Sequence, residues 1–361
     1  MRYLQKRWTR AWAVVLAALT GTWAVGAVLD RYEVAKMTEK MQTVCVGRML
    51  IDLPAEAQYS FFGEKISGFS IGASEESAEA FTARLAQREA AIRTKPDRLG
   101  GDNNLEIARD VKTDSGLVGK IFMHERTVTE GTQLNGMKRE PYRIEDVTLE
   151  AHVHGDGVGI DVIAKEASPQ RIETLFKLVS QLVANPANSI PTESGFCLDR
   201  AYVRDPLTAK NRERIVMTAG LPSRPDIEIK FDTTAGTKPG KGLLERAAAS
   251  HARAPLIVSA RFTKLRAAPR TVGGLTGDEL VEQVVEENFS IIYGFRWEVN
   301  GTEDDVFVPD VRLMMKTGSG DDGPVPSSLS QPAALALWDR IISSIRIRPT
   351  QPPRAAAADV T

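Results

Sequence analysis

Hydrophobic and polar residues alternate along several stretches of the chain, and this pattern predicts β-strands. The stretches are rich in β-branched residues, and turn residues separate them. The segment 154–158, His-Gly-Asp-Gly-Val, is short enough to join two strands as a hairpin, which predicts antiparallel pairing. The predicted strands are residues 147–153, 159–165, 227–232, 257–265, 291–299 and 306–316.

Four helices are predicted from signals at their N-termini. Ser74 is a cap candidate that acidic residues and an apolar run follow. Ser168-Pro169 and Ser330-Gln-Pro332 place proline in the first helical turn, where it is favoured. The fourth helix is predicted to begin at Pro239. Strands in runs with helices at either end predict an α+β fold, in which two helices cover one face of a mainly antiparallel sheet.

The body of the chain has two halves that begin alike. Arg48 follows Cys45 by three residues, and Arg200 follows Cys197 in the same way, at an offset of 152 residues. A stretch rich in proline, asparagine and serine separates the halves and predicts a linker. We therefore expect two similar α+β domains, and the predicted boundaries are 42–184 for the first domain, 185–194 for the linker, 195–348 for the second domain and 349–361 for a loose tail.

An uncharged apolar run at residues 11–29 predicts a membrane-spanning helix, because about 20 such residues cross a bilayer core. Four basic residues precede the run and an acidic residue follows it. This asymmetry predicts that residues 1–10 are cytoplasmic and that the body lies on the far side of the membrane. A cleaved signal peptide is the alternative, since small residues lie near the end of the run.

Composition and charge narrow the choice of partners. The chain has 361 residues, 42% hydrophobic and 26% charged, as an ordinary globular protein does. Its net charge is −1 and it has no long basic block, which argues against nucleic acid. Two cysteines and four histidines supply little material for a metal cluster or a haem. We therefore expect no cofactor, and a small molecule, a membrane or another protein remains as the candidate partner.

Ser70 lies in the string Gly68-Phe-Ser-Ile-Gly72, which matches the G-x-S-x-G nucleophile motif. In α/β-hydrolases this serine occupies a sharp strand-to-helix turn. Here the helix is predicted to begin no earlier than Ser74, and residues 68–72 alternate as a strand does. We therefore interpret Ser70 as structural. A membrane-anchored esterase that uses Ser70 stays the alternative, and a scaffold protein of the cell envelope is a further one.

His152 and His154 share one face of a predicted strand, and this spacing can chelate a metal. Asp156 or Asp161 could add a carboxylate, but two histidines do not make a site. We interpret the pair as strand histidines that face solvent. Four aromatic residues are expected in the core: Phe122, Phe176, Trp297 and Trp338.

Cys45 and Cys197 could pair in an oxidising compartment, or each could be buried in its own domain. Equivalent positions in two domains are usually far apart compared with the short Cα separation of a disulfide. We therefore expect two separate buried thiols.

Two short acidic runs in predicted turns are the candidates for contact with a partner. Exposed charge can steer a binding partner during association. The candidate partner-binding residues are Glu303, Asp304, Asp305, Asp321 and Asp322. The survey yields no catalytic, cofactor-binding or metal-binding residues.

Four segments resemble a known family, and their sequences are TVCVGRMLIDLP at 43–54, GFCLDR at 195–200, PGKGLLER at 239–246 and RTVGGLTGDE at 270–279. They are similar to those of the two-domain immunity proteins of type VI secretion, which neutralise phospholipase effectors. The similarity runs from about residue 42 to residue 348.

The resemblance implies a periplasmic inhibitor that binds a protein partner, takes no small-molecule substrate and protects its cell from a lipase delivered by a neighbour. The apolar run at residues 11–29 would anchor this inhibitor to the inner membrane. Members of the family resemble a claw whose two α+β domains grip the effector and hold its lid closed. Contact residues differ among members, so the resemblance assigns no binding residue here.

Overall fold

The computed structural model describes residues 30, 32–204, 212–303 and 305–350. The strands of the first half are β1 (Met41–Val46), β2 (Met49–Pro54), β3 (Gln58–Ile66), β4 (Phe69–Glu75), β5 (Leu105–Lys112), β6 (Val118–Asn135), β7 (Lys138–Gly155), β8 (Val158–Ala167) and β9 (Leu182–Ala184). Its helices are α1 (Ala78–Thr94) and α2 (Ile172–Gln181), and a 3-10 turn (Pro169–Arg171) precedes α2.

The second half repeats this order. Its strands are β10 (Gly195–Leu198), β11 (Ala201–Arg204), β12 (Glu213–Leu221), β13 (Arg224–Ala235), β14 (Phe262–Val272), β15 (Leu275–Val285), β16 (Ile291–Val299), β17 (Asp310–Lys316) and β18 (Arg346–Ile347). Its helices are α3 (Leu243–Arg253), α4 (Leu256–Ser259) and α5 (Gln331–Ile342).

The largest sheet in the described residues has twelve antiparallel strands and runs through both halves. Its order is β14-β15-β16-β17-β13-β12-β3-β4-β8-β7-β6-β5. Strands β3 and β12 meet at the centre, where Ser60 lies opposite Thr218. Read outward from this pair, the order is the same in both halves, which agrees with the predicted duplication. Antiparallel pairing was predicted, but a single sheet shared by the halves was not.

Two three-stranded sheets complete the fold of the described residues, and each combines strands from both halves. Strands β1 and β2 pair with β18 from the end of the second half, with Leu50 opposite Arg346. Strands β10 and β11 pair with β9 from the end of the first half, with Tyr202 opposite Val183. The end of each half therefore completes the opening hairpin of the other half.

The helices lie on opposite faces of the large sheet, because side chains alternate between faces along each strand. On β7, Leu149 and Ala151 belong to the apolar core that includes the buried residues of α2 and α5. Glu150 lies between them on the other face, where Arg88 of α1 donates to it. The expectation that both helices of a half cover one face is therefore wrong.

Local signals placed most elements correctly. Ser330 caps α5 by accepting a hydrogen bond from Ala333 N–H, as expected. Helix α1 is capped by Ser77 and not by Ser74, because β4 continues to Glu75. The strand predicted at 257–265 is wrong in its first part, where Leu256–Ser259 forms the short helix α4.

Within the described residues, none of the helices is both long and apolar enough to cross a membrane. The predicted spanning segment 11–29 and the N-terminal residues 1–10 lie outside the described residues, as do residues 351–361 of the predicted tail.

Candidate functional site

The predicted acidic partner-binding residues lie at two opposite ends of one strand. Glu303 and Asp305 are in the loop between β16 and β17, whereas Asp321 and Asp322 are in the turn after β17. Because β17 has seven residues, it separates the two loops by about 20 Å. Glu303, Asp321 and Asp322 are exposed, and Asp304 lies outside the described residues. The structure therefore does not bring the two runs together into one acidic patch.

Ser70 lies inside strand β4 and not at a turn. It pairs with Lys65 of β3 and with Ile163 of β8. Helix α1 begins only at Ala78, so the strand-turn-helix context of a nucleophile elbow is missing. The geometry is that of an exposed sheet residue.

The two histidines of β7 are buried beneath α1. His152 Nδ1 lies 2.6 Å from Asp161 Oδ1, and its Nε2 lies 3.1 Å from Glu150 Oε2. His154 Nε2 lies 2.8 Å from the backbone carbonyl oxygen of Glu76. The expectation that these histidines face solvent is wrong, because α1 covers this side of the sheet. Among the described residues, no group of three or more His, Cys, Asp or Glu side chains is placed to hold a metal ion.

Glu150 joins α1 to the sheet through hydrogen bonds to charged groups. Arg88 Nε donates to Glu150 Oε2 at 2.9 Å, and His124 Nε2 lies 3.3 Å from Oε1. Burial acts to raise the pKa of Glu150, but the close contact with His124 and the hydrogen bonds with His152 and Arg88 outweigh it and hold the pKa below its usual range. Burial likewise acts to lower the pKa of His152, but hydrogen bonds to Asp161 and Glu150 raise it. The ion pair between Arg88 and Glu150 therefore stabilises the contact between helix and sheet, and His152 adds hydrogen bonds within the sheet.

The two halves are covalently joined where their opening hairpins meet. Cys45 and Cys197 form a disulfide with Cα atoms 6.0 Å apart. Beside it, Cys197 N–H donates to the Gly47 carbonyl oxygen at 2.9 Å, and Gly47 N–H donates to the Cys197 carbonyl oxygen at 3.2 Å. The expectation of two separate thiols is wrong, because equivalent residues of a duplicated unit become neighbours when they lie at the pseudo-twofold axis between the units.

Buried charged groups lie close to this junction. Arg48 Nε donates to Glu213 Oε2 at 2.7 Å, and both side chains are buried. Glu64 accepts a hydrogen bond from Asp199 N–H at 2.6 Å. Burial raises the pKa of Glu64 to about 7, since this hydrogen bond offsets only part of the desolvation and the Asp199 charge also raises it.

Large apolar side chains are exposed at the outer end of the second half. Leu256 and Ile257 of α4 are at least 80% exposed, and so is Phe289 in the turn between β15 and β16. Arg261 connects the two segments, because its Nε donates to the Val285 carbonyl oxygen at 2.8 Å. The sequence prediction missed this surface because it assigned residue 257 to a strand.

A second exposed apolar surface lies at the apex of the β6–β7 hairpin. Leu134 is 71% exposed and Met137 is fully exposed. The hairpin was not predicted, although the pair Asn135-Gly136 is a signal for a tight turn. Two exposed apolar side chains at the end of a hairpin make this apex a candidate contact surface.

Comparison with known proteins gives matches in both halves. The model of the Tle cognate immunity protein 4 N-terminal domain matches residues 42–174, and that of the C-terminal domain matches residues 189–350. No curated protein matches the chain in sequence.

Several solved structures are similar. The apo structure of immunity protein TplEi of the T6SS from Pseudomonas aeruginosa is 25% identical, with a TM-score of 0.69 over 86% of this chain and 98% of that chain. TplEi complexed with "L" peptide is 25% identical with a TM-score of 0.67, over 86% and 99% of the two chains. A chain of the Tle4-Tli4 complex is 25% identical with a TM-score of 0.69, over 86% and 98%.

The fold and these matches define an immunity protein and not an enzyme. The chain belongs to the Tle cognate immunity protein 4 family, whose two domain models it matches in order. The resemblance of the four sequence segments to type VI secretion immunity proteins is thereby confirmed.

Proposed function

We propose that this protein binds a cognate type VI phospholipase effector in the periplasm and inhibits it. The observation that carries the proposal is the match of both family models, together with the likeness to a chain of the Tle4-Tli4 complex. Tle4 is the partner in that complex, and a corresponding effector is the partner proposed here.

The proposed mechanism is that the immunity protein holds the lid of the lipase closed. A lipase has to open its lid to admit lipid, so a protein that binds only the closed form shifts the population away from the active one. Lowering an open population from one half to about 1% requires about 100-fold tighter binding to the closed form. An interface of standard size, about 1,600 Å² in total, is sufficient for such affinity.

The twist of the large sheet supports a grip with two ends. In a flat sheet the β6–β7 apex and the β15–β16 turn would point in opposite directions, because seven strand-to-strand steps separate β7 from β16. Sheets twist by about 20° per strand, so seven steps rotate one end by about 140° relative to the other. At that twist both exposed apolar ends would project towards the same side, where one effector could contact them together.

We also propose that residues 11–29 keep the body at the inner membrane. Their length and the basic residues before them support an anchor with its body in the periplasm. Membrane fractionation combined with protease accessibility tests this proposal. A full-length protein that stays in the membrane pellet and is digested only from the periplasmic side would support it, and a soluble, shortened product would indicate a cleaved signal peptide.

The central experiment uses residues 30–361 and the lipase-like product of a neighbouring reading frame. We expect a stoichiometric complex in a pull-down, and we expect phospholipase turnover to fall to background when the complex forms. Ser70→Ala is the matched control and should inhibit as the wild type does, since Ser70 is a sheet residue. Undiminished turnover in the presence of excess immunity protein would contradict the proposal.

A further inference from the structure

The β6–β7 hairpin extends beyond the large sheet as a two-stranded arm. Strands β6 and β7 pair as far as Asn135 and Lys138. Strand β5 accompanies β6 only to His124, and β8 accompanies β7 only to Val147. Within the described part of the chain, residues 127–146 therefore form a ribbon with no strand on either outer edge.

The other half shows that the fold does not need this arm. The equivalent strands β15 and β16 pair only as far as Val285 and Ile291. Strand β14 accompanies β15 to Val284, so that hairpin ends where its sheet ends. The arm is thus an addition to a duplicated unit that is complete without it, and residues 127–146 are available for recognition.

Charged pairs and one aromatic ring stabilise the arm in place of a core. Arg126 at its base donates to Glu106 of β5 at 2.8 Å and to Glu145 of β7 at 2.7 Å. Further along, the Tyr142 ring covers Gly131, where an added Cβ would lie 2.7 Å from the tyrosine oxygen. An isolated hairpin is only marginally stable, so these contacts help to order the arm before a partner arrives.

The apex of the arm combines apolar side chains with positive charge. Asn135 pairs with Lys138, so Gly136 and Met137 form a two-residue turn, and Gly136 adopts the positive φ of +63° that such turns need. Met137 lies in the turn and is fully exposed, and Leu134, one step before the turn and opposite Arg139, is 71% exposed. Lys138 and Arg139 follow immediately.

We propose that this arm is an effector-binding element. In this assignment, Met137 and Leu134 pack against apolar side chains at the rim of the closed lid of the effector, and carboxylates beside that rim pair with Lys138 and Arg139. The inference rests on the proposed function. The lid of a phospholipase carries apolar side chains because it contacts acyl chains when it opens, and the flexible thioether of methionine adapts to an apolar surface.

Charge favours a protein partner over a lipid surface. Residues 127–146 contain four acidic side chains (Glu130, Glu140, Glu145 and Asp146) against three basic ones (Lys138, Arg139 and Arg143), a net charge of −1. Anionic membranes attract segments with several uncompensated basic residues, and the arm does not provide them.

The test measures binding kinetics of the purified body, residues 30–361, with the cognate effector. The variant Met137→Asp with Leu134→Asp should raise the dissociation constant about 30-fold or more, mainly through faster dissociation. Leu99→Asp is the matched control, since Leu99 is 79% exposed at a turn outside the arm, and its dissociation constant should change less than about 3-fold. Lys138→Glu with Arg139→Glu should slow association at low salt.

A shortened variant, in which Asn-Gly replaces residues 130–143, removes the outer part of the arm without introducing aspartates. It shows whether weaker binding comes from the loss of arm contacts or from the introduced charges. It should unfold at the wild-type temperature and bind as weakly as the double aspartate variant. If the wild type binds the effector and these variants bind equally well, the arm assignment is overturned while the proposed function stands. If the wild type does not bind, both fail. Binding of the wild type to anionic vesicles that Met137→Asp abolishes, with effector affinity unchanged, would assign the arm to the membrane instead.

Discussion

Cys45 and Cys197 are equivalent residues of the two halves, and they are bonded to each other across the boundary between them. Their Cα atoms are 6.0 Å apart although 152 residues separate them in sequence. Duplicated units can form such a bond only where the axis that relates them passes close to the residue. The disulfide therefore fixes the relative position of the two opening hairpins at the centre of the molecule.

Removal of this bond should destabilise the protein. Cys45→Ala with Cys197→Ala releases a loop of about 150 residues, which should lower the free energy of unfolding by about 2–5 kcal/mol. Urea unfolding of oxidised wild type, reduced wild type and the double variant provides the measurement. The reduced wild type should match the variant, and a reductant should leave the variant unchanged. Equal unfolding midpoints for all three samples would refute the prediction.

Glu64 should make stability depend on pH. The pKa of Glu64 is raised to about 7 in the folded protein. At pH values between the pKa of the unfolded chain and about 7, the folded protein therefore binds more protons than the unfolded chain does. The stability present at low pH is therefore lost as the pH rises from about 4.5 through 7. Glu64→Gln removes this loss. The free energy of unfolding of the variant, relative to that of the wild type, should therefore be up to about 3 kcal/mol higher at pH 8 than at pH 4.5.

Unfolding measurements at both pH values test the effect of Glu64, and the exposed Glu39→Gln is the matched control for the loss of one negative charge. A difference between wild type and Glu64→Gln that is the same at both pH values would show that Glu64 has no raised pKa.

Arg88→Ala should weaken the contact between α1 and the sheet. Glu150 is buried, so the loss of its arginine partner leaves a buried carboxylate with fewer hydrogen bonds, at a cost of about 2 kcal/mol. Arg93→Ala is the control, because Arg93 pairs with Glu89 one turn away on the exposed surface of α1 and should cost less than about 0.5 kcal/mol. Thermal unfolding at pH 7 compares the two variants.

The same pair predicts a pH dependence in the opposite direction. The pKa of Glu150 in the folded protein lies below its value in the unfolded chain. The ionised carboxylate therefore contributes to the free energy of unfolding at pH values above the unfolded pKa, and this contribution is lost as the pH falls towards the pKa of the folded protein. The difference between wild type and Arg88→Ala should therefore shrink in acid. A difference that grows in acid would contradict this account.

The two acidic loops should act separately on association with the effector. Glu303→Gln with Asp305→Asn, and Asp321→Asn with Asp322→Asn, neutralise opposite ends of β17. If a loop steers the effector, its variant should associate about 2- to 10-fold more slowly at low salt, with little change in dissociation and less effect at high salt. Association rates measured at two salt concentrations decide the matter. Unchanged rates for both variants would remove these residues from the contact surface.

Features that depend on a few neighbouring residues could be predicted from the sequence. The strand Ile291–Val299 has the predicted bounds, since its alternation is regular and turns flank it. The cap at Ser330 was predicted because a serine followed by proline is a signal confined to one helical turn. Trp297 and Trp338 are fully buried, as their positions in periodic patterns indicated.

Features that join distant parts of the chain could not be predicted in this way. The pairing of β3 with β12 unites the halves in one sheet, but neither strand carries a local signal for the other. The disulfide depends on that arrangement, so the cysteines gave the wrong expectation. Residues 256–259 are apolar and β-branched in part, yet Pro255 begins a helical turn there.

The exposed apolar residues at the apex of the β6–β7 hairpin escaped prediction for a related reason. Residues 127–135 of β6 are mostly polar, so they show no alternation that would indicate a strand. Their pairing comes from the turn at Gly136 and from two cross-strand ion pairs, Arg126 with Glu145 and Arg143 with Glu130. The acidic loops were found because charge is visible in a sequence, and exposure of apolar residues is not.

Because the halves exchange their closing strands, the two opening hairpins receive their third strands at different times during synthesis. The hairpin of β1 and β2 is made first, but its third strand contains Arg346 and Ile347, which lie about 300 residues further along the chain. The hairpin of β10 and β11 finds β9 already made. Met49 and Leu50, which are buried in the folded protein, therefore lie beside an open strand edge until residues 346–347 have been made, and this edge is where the growing chain most needs protection from aggregation.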